Sequence, residues 1–305
     1  MSVSRTRMSA QGPEVSRLIA GYWRLKAWQF TPQQLLTFIQ EHLELGITTV
    51  DHAMVYRSEA PFGEALALAP GLREKLEIVT KCGIRPCGFG DLGARNVNHY
   101  DSSREAIVAS AEASLRDLHT DYIDVLLIHR PDYLMNPEEV AAAFEQLKAA
   151  GKVRYFGVSN FSTAQFELLQ QFITDFAPEG LVTNQVEFSP YRLQALESGL
   201  FEQCGRLGVS PMLWSCLAGG QLMRGESEKS QRLLAALRTV ADELNLAEID
   251  PVVYAWTLAL PCQPLPLLGS SRIERYRVAA QADGIQLNRE QWYRIWEAST
   301  GHPVP

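Results

Sequence analysis

Short apolar runs alternate along the chain with longer segments whose apolar residues recur every three or four positions. Leu18-Ile19-Ala20-Gly21-Tyr22 has the length and continuity of a strand. Thr31-Pro32-Gln33-Gln34 then predicts a helix start. The Thr31 hydroxyl can accept from free backbone N–H groups, Pro32 needs no donor at the first helical position, and Gln34 can reach back to the cap. Leu35, Phe38, Ile39 and Leu43 give this helix one apolar face, and Gly46 ends it. Residues 47–51 form the next strand. The unit repeats, with helices predicted over 59–68, 102–118, 136–151, from 162, 193–207, 227–244 and 272–282. The intervening strands fall at 76–81, 122–129, 153–158, 181–187, 211–215 and 263–268, and one more helix covers 288–299.

Several strands are apolar without alternation, such as Val125-Leu126-Leu127-Ile128. Strands of that kind are buried on both faces, as in parallel sheets. Eight strand–helix units favour the α/β class and a (β/α)8 TIM barrel over a doubly wound sheet. No Pro/Ser/Gly linker interrupts the chain, so one domain is expected over 1–305, with an N-terminal segment 1–17 and a C-terminal helix and tail 284–305 as additions.

The chain has 305 residues, 46% of them hydrophobic, which suffices for a large core. Its net charge of −7 argues against a nucleic-acid partner. No apolar run reaches the roughly 18–20 residues of a membrane span. The stretch from Met1 to Val15 is polar and lacks the apolar core of a secretory signal. Cys82, Cys87, Cys204, Cys216 and Cys262 form no CxxC pair, as expected of reduced thiols in a cytoplasmic protein. The expected partner is a small molecule, and the expected state a monomer.

In a barrel, chemistry collects where strands end at the C-terminal rim. The predicted strand ends carry Asp51, Lys81, His129, Ser159-Asn160, Gln185, Ser215 and Gly269-Ser270. Tyr56 follows Asp51 by five residues. A phenol titrates at about 10, and a nearby Lys81 ammonium would lower that value. Asp51 would keep Lys81 charged and oriented, and His129 could donate to a substrate oxygen beside the Tyr56 hydroxyl. Such a relay suits protonation of an oxygen that becomes an alkoxide. It has no hydride of its own, so the chemistry calls for a cofactor.

Along nearly its whole length the chain resembles the aldo-keto reductases. The resemblance rests on Gly21-Tyr22-Trp23, on Asp51 to Tyr56, on Lys81, on the segment from Asp121 to Asp132, on Gly157-Val158-Ser159-Asn160-Phe161, on Asn184 to Glu187 and on Gly269-Ser270. It is nearest in kind to bacterial oxidoreductases with a TTVDHA motif. The resemblance implies NADPH-dependent reduction of an aldehyde or ketone, with a tetrad of Asp51, Tyr56, Lys81 and His129. It implies that Ser159, Asn160 and Gln185 hold the nicotinamide carboxamide and that Trp214 stacks on the ring. Ser215, Leu217 and Gly219 fall where the pyrophosphate is held. Arg275 matches the arginine on the 2′-phosphate of NADP(H), with Ser270, Ser271 and Arg272 able to share that anion. Trp23, His52, Met54 and Arg57 flank these positions and are expected to shape the substrate pocket.

Arg57 stands where the family usually has glycine, which predicts a more crowded or more basic mouth. Ala279 replaces an expected adenine-side asparagine, and the segment between Lys81 and Ser102 is long. The alternative from another class is a cofactor-binding regulatory or channel-associated subunit with little turnover. Gly88 to Gly93 fits GxGxxG, but no apolar helix follows, so a flexible loop is expected. Asp121 and Asp124 are expected at the bottom of the barrel. No grouping of His, Cys, Asp and Glu has metal-ligand spacing.

Overall fold

The computed structural model describes residues 2–305. Eight parallel strands close into a barrel in which each strand pairs with the next in sequence and the last pairs with the first. They are β1 (Ile19–Gly21), β2 (Thr49–Asp51), β3 (Glu77–Cys82), β4 (Ile123–Ile128), β5 (Val153–Ser159), β6 (Leu181–Glu187), β7 (Met212–Trp214) and β8 (Leu265–Leu268). The connecting helices are α1 (Pro32–Glu44), α2 (Glu59–Ala67), α3 (Arg104–Asp117), α4 (Pro137–Ala149), α5 (Thr163–Ile173) and α6 (Leu200–Leu207). They continue with α7 (Glu228–Glu243), α8 (Asp250–Leu258), α9 (Ile273–Ala280) and α10 (Arg289–Thr300).

Capping chemistry explains where several helices start. The Thr31 and Ser162 side chains accept from the amides of Gln34 and Gln165, whose side chains accept in return from the cap amides. Side chains of alternate strand positions fill the barrel: Ile19, Val79, Val125, Leu127, Met212 and Leu265 form one buried cluster. Gly157 is required on β5, because a Cβ there would lie 2.8 Å from both a Leu127 methyl and the Thr183 carbonyl oxygen. Met8 and Val15 join the same cluster from a hairpin of Arg5–Arg7 and Glu14–Ser16, which packs against the base of the barrel. That hairpin lies in the expected N-terminal addition.

Three elements depart from expectation. The helix expected over 193–207 is broken at Gly199, whose φ of 75° is left-handed. α8 had no counterpart, because every residue from Pro251 to Leu258 is buried and no polar face marks it. Ile84–Arg85 and His99–Tyr100 form a short hairpin within the long segment after Lys81. Gly88 to Gly93 lie in its loop with no long helix, as the loop reading requires. Asp124 is a structural acid: it pairs with Arg73 at 2.7 Å and Arg154 at 3.0 Å and accepts from the Ile78 amide. Asp121 is exposed.

Candidate active site

Parity of the pleat sends Asp51 and Lys81 into the barrel from neighbouring strands. Asp51 lies opposite Gly21 on one side and Val79 on the other; Lys81 lies opposite Leu127. The Lys81 ammonium contacts both Asp51 carboxylate oxygens at 2.7 Å and donates to the His52 carbonyl at 2.7 Å. Both side chains are buried. Burial pushes the Asp51 carboxyl up and the Lys81 ammonium down, and their mutual contact opposes both shifts. Gln185 also donates to Asp51 Oδ1 at 2.7 Å. A register shift between Leu181 and Asn184 lets both Val182 and Gln185 serve the interior despite their odd spacing.

Tyr56 ends a single 3-10 turn after β2. Its hydroxyl lies 3.3 Å from His129 Nε2, and its ring centre 5.0 Å from the Lys81 ammonium. Burial first, and then the Asp51 charge, raise the Tyr56 hydroxyl above its ordinary range, while Arg130 acts the other way. Burial, helped by Lys81 and Arg130, holds the His129 ring far below its usual value and so neutral near pH 7. The pair can therefore present one hydroxyl proton and one neutral ring nitrogen to an oxygen atom.

These groups open on a cavity of about 640 Å³. Asp51, Tyr56, His129, Ser159, Asn160, Gln185, Trp214, Ser215, Leu217, Gly219, Ser270, Ser271, Arg275 and Trp23 all line it. Asn160 (φ 60°) and Ser215 (φ 56°) are left-handed, a conformation that costs a non-glycine residue about 1–2 kcal/mol and is retained where a side chain must be re-aimed. Asn160 donates to Ser159 Oγ at 2.8 Å and accepts from Trp214 Nε1 at 3.2 Å. Ser270 and Ser271 precede the first turn of α9.

Four expected positions are corrected. His52 lies outside the cavity lining: its ring stacks on Tyr22 at 4.9 Å and meets Ser58 through Nδ1. Being next to Asp51 on an extended chain, it points to the opposite side. Met54 is buried in the core. Arg57 adopts φ 54°, a left-handed conformation that favours glycine. Its side chain turns away from the cavity, donating to the Gly88 carbonyl and covering the Phe89 ring at 4.3 Å. Arg272 is exposed beside Glu274, outside the cavity lining.

Sequence reasoning missed Arg24, Trp28, Arg130, Met223, Asp250 and Tyr254, which also line the cavity. Arg24 and Arg130 adjoin residues that were read, Trp23 and His129, so strand-end position alone would have found them. Asp250 and Tyr254 come from α8 and carried no signal. Among the described residues no group of three or more His, Cys, Asp or Glu could hold a metal ion, and no helix is long and apolar enough to cross a membrane.

A second buried acid bears on stability. Glu59, at the start of α2, is pushed up to about 7, chiefly by burial; hydrogen bonds from Thr80 and Ser114 oppose this, Asp117 adds to it and Lys81 opposes it. The folded value exceeds the ordinary 4.5. The folded state thus keeps a proton that the unfolded state releases, and stability falls as pH rises from about 4.5 through about 7. Glu59→Gln is expected to be more stable than the natural protein by about 1–3 kcal/mol at pH 8, with that advantage shrinking towards pH 5. Urea unfolding at both pH values checks this; a pH-independent difference would refute it.

A closed barrel with this rim defines an aldo/keto reductase, and the chain belongs to that family, whose model matches residues 17–300. It is 51% identical to the oxidoreductase YdhF of Escherichia coli (strain K12), over 99% of this chain and 100% of the relative. It is 40% identical to a 6-dehydroglucose reductase of Agrobacterium fabrum, over 95% of this chain and 96% of that protein. The thermostable aldo-keto reductase Tm1743, solved with the inhibitor epalrestat, superposes with a TM-score of 0.77 at 26% identity, covering 97% of this chain and 99% of that one.

Proposed function

We propose that this protein reduces an aldehyde or ketone to the alcohol with NADPH, and that Tyr56 delivers the proton. The observation that carries the reading is the Tyr56–His129 contact of 3.3 Å at the cavity wall, with the buried Lys81–Asp51 pair behind it. The 6-dehydroglucose reductase among the relatives supports carbonyl reduction as the reaction type.

The residues present fit a nicotinamide dinucleotide. Ser159, Asn160 and Gln185 converge beside the indole of Trp214, offering polar groups for a carboxamide next to a flat stacking surface. Gly219 and Gly220, both with positive φ, let an anion approach the backbone. Ser270, Ser271 and the first turn of α9 offer hydroxyls and free N–H groups to a phosphate. Bound there, a reduced nicotinamide would supply a hydride to the carbonyl carbon.

The chain's own groups handle the oxygen. His129 orients the carbonyl oxygen by a hydrogen bond, and Tyr56 passes its proton to that oxygen as negative charge develops. The raised Tyr56 value keeps this proton in place near pH 7. The expectation that Lys81 would pull the phenol down is modified here, because burial and then the Asp51 charge raise it. Once Tyr56 has lost its proton, Lys81 stabilises the phenolate, 5.0 Å away from the ring centre.

NADPH oxidation against a panel of activated aldehydes tests the reading; absence of turnover with every member would refute it. Arg275→Ala tests the cofactor assignment. Asp250 lines the cavity within reach of the Arg275 charge, which lowers its titration against the rise from burial. Without Arg275 that carboxylate would face the 2′-phosphate unopposed. NADPH affinity should fall by about 10–100-fold and NADH affinity by less than about threefold, read by fluorescence titration. Equal losses would remove Arg275 from the 2′-phosphate.

A further inference from the structure

Arg130 follows His129 at the rim end of β4 and lines the same cavity. Its guanidinium carbon lies 5.9 Å from the centre of the Trp214 ring, within the region where the nicotinamide is expected to meet its substrate. The side chain is half-buried. Among the described residues no carboxylate comes within 4.0 Å of it, and none of its N–H groups finds a protein acceptor. The neighbouring acids are already engaged. Asp51 is held by Lys81 and Gln185, and Asp132 accepts from the amides of Ser102 and Leu134.

A cation withdrawn from water without a partner is costly, so such a group in a cleft calls for an anion from outside the protein. The other cations at the cavity contrast with it, among them Arg275, which is exposed and acts on the Asp250 carboxyl. Lys81 is fully paired. Arg24 is exposed to solvent and lies against Gly219, on the side where the diphosphate is expected. Arg130 stands instead beside the reacting groups, and its charge acts on both Tyr56 and His129. Its five donors form a planar fork that matches a carboxylate in a bidentate grip.

We propose that Arg130 binds a carboxylate on the substrate, so that the preferred substrates are oxo acids and acid semialdehydes with a short carbon chain between the two groups. This rests on the reductase reading, and it makes the cleft select for charge as well as for a carbonyl. Hydride goes to the carbonyl carbon and the proton to its oxygen, as above; the carboxylate takes no part in bond making.

Two measurements separate this proposal from the reading beneath it. The first is kcat/KM for succinic semialdehyde relative to butanal. The ratio is expected to be about 100 in the natural protein, about 10 in Arg130→Lys, which keeps the charge but loses the fork, and about 1 in Arg130→Met. A ratio near 1 in the natural protein would overturn the proposal without any variant. So would a neutral hydroxyaldehyde favoured as strongly as the acid, since the guanidinium would then be reading hydrogen-bond acceptors rather than charge. The second is calorimetric binding of butanoate and butanamide, neither of them reducible, to protein saturated with NADP+. Butanoate should bind at least about tenfold more tightly, and Arg130→Met should erase the difference. Selective butanoate binding without turnover of any aldehyde would support the anion site while overturning the reductase reading. Equal binding of the two compounds would overturn the anion site while leaving the reductase reading to its own assay.

Discussion

Tyr56→Phe is expected to lower kcat for carbonyl reduction by at least about 1,000-fold while changing NADPH affinity by less than about twofold. The substitution removes one oxygen and keeps the ring, which stands edge-on to His129 with centres 5.4 Å apart. The Lys81–Asp51 pair and the walls of the cavity remain, so the cofactor should still bind. What disappears is the cavity hydroxyl that stands against His129 with the Lys81–Asp51 pair behind it. Burial and the Asp51 charge raise its titration, so the proton is present before reaction in nearly every molecule. His129 cannot take over, because its neutral ring is far from the range in which it carries a spare proton. Single-turnover oxidation of NADPH, monitored with and without an activated aldehyde, separates cofactor binding from proton delivery. Activity within about tenfold of the natural protein would remove Tyr56 from the mechanism.

The strand ends were legible because a parallel barrel forces its apolar runs to stop at one rim, and the first polar residue after each run marks that rim. Asp51, His129 and Ser159 follow from this rule, while Lys81 and Gln185 stand one and two positions beyond the first polar residue, past Thr80 and past Thr183-Asn184. Helix starts at Thr31 and Ser162 were legible because the cap is a local chemical pattern. α8 was not, since a helix buried on all sides loses the periodicity that reveals it. The environment of His52 was not read either: it adjoins Asp51 in sequence, and the extended chain turns it to the other face. Arg57 shows the limit of reasoning from residue type. Its charge suggested a basic mouth, whereas the left-handed backbone carries the side chain onto Phe89. Arg130 was passed over for a different reason: a lone arginine in a sequence gives no sign that it lacks a partner in space.

Lys81→Met is expected to cost about 3–5 kcal/mol of stability near pH 7, because it leaves the Asp51 carboxylate buried with only the Gln185 amide as a donor from the present network. Burial already raises the Asp51 carboxyl in the natural protein, and the Lys81 contact is what opposes that rise. Without Lys81 the folded value climbs further above the unfolded one. The folded variant then retains a proton that the unfolded chain releases, so its stability should recover as pH falls and worsen as pH rises. The double variant Asp51→Asn, Lys81→Met removes both charges and should regain most of the lost stability at pH 7, since a neutral pair of similar volume carries no unpaired ion. Turnover should not follow stability back. Both the single and the double variant lack the ammonium that stabilises the Tyr56 phenolate, and kcat should stay about 100- to 1,000-fold below that of the natural protein. Urea unfolding and steady-state reduction on the same preparations distinguish the two roles. A double variant that folds stably and reduces carbonyls at the natural rate would show that the Lys81–Asp51 pair serves the fold alone; a stable double variant without turnover places the pair's charges in the proton transfer.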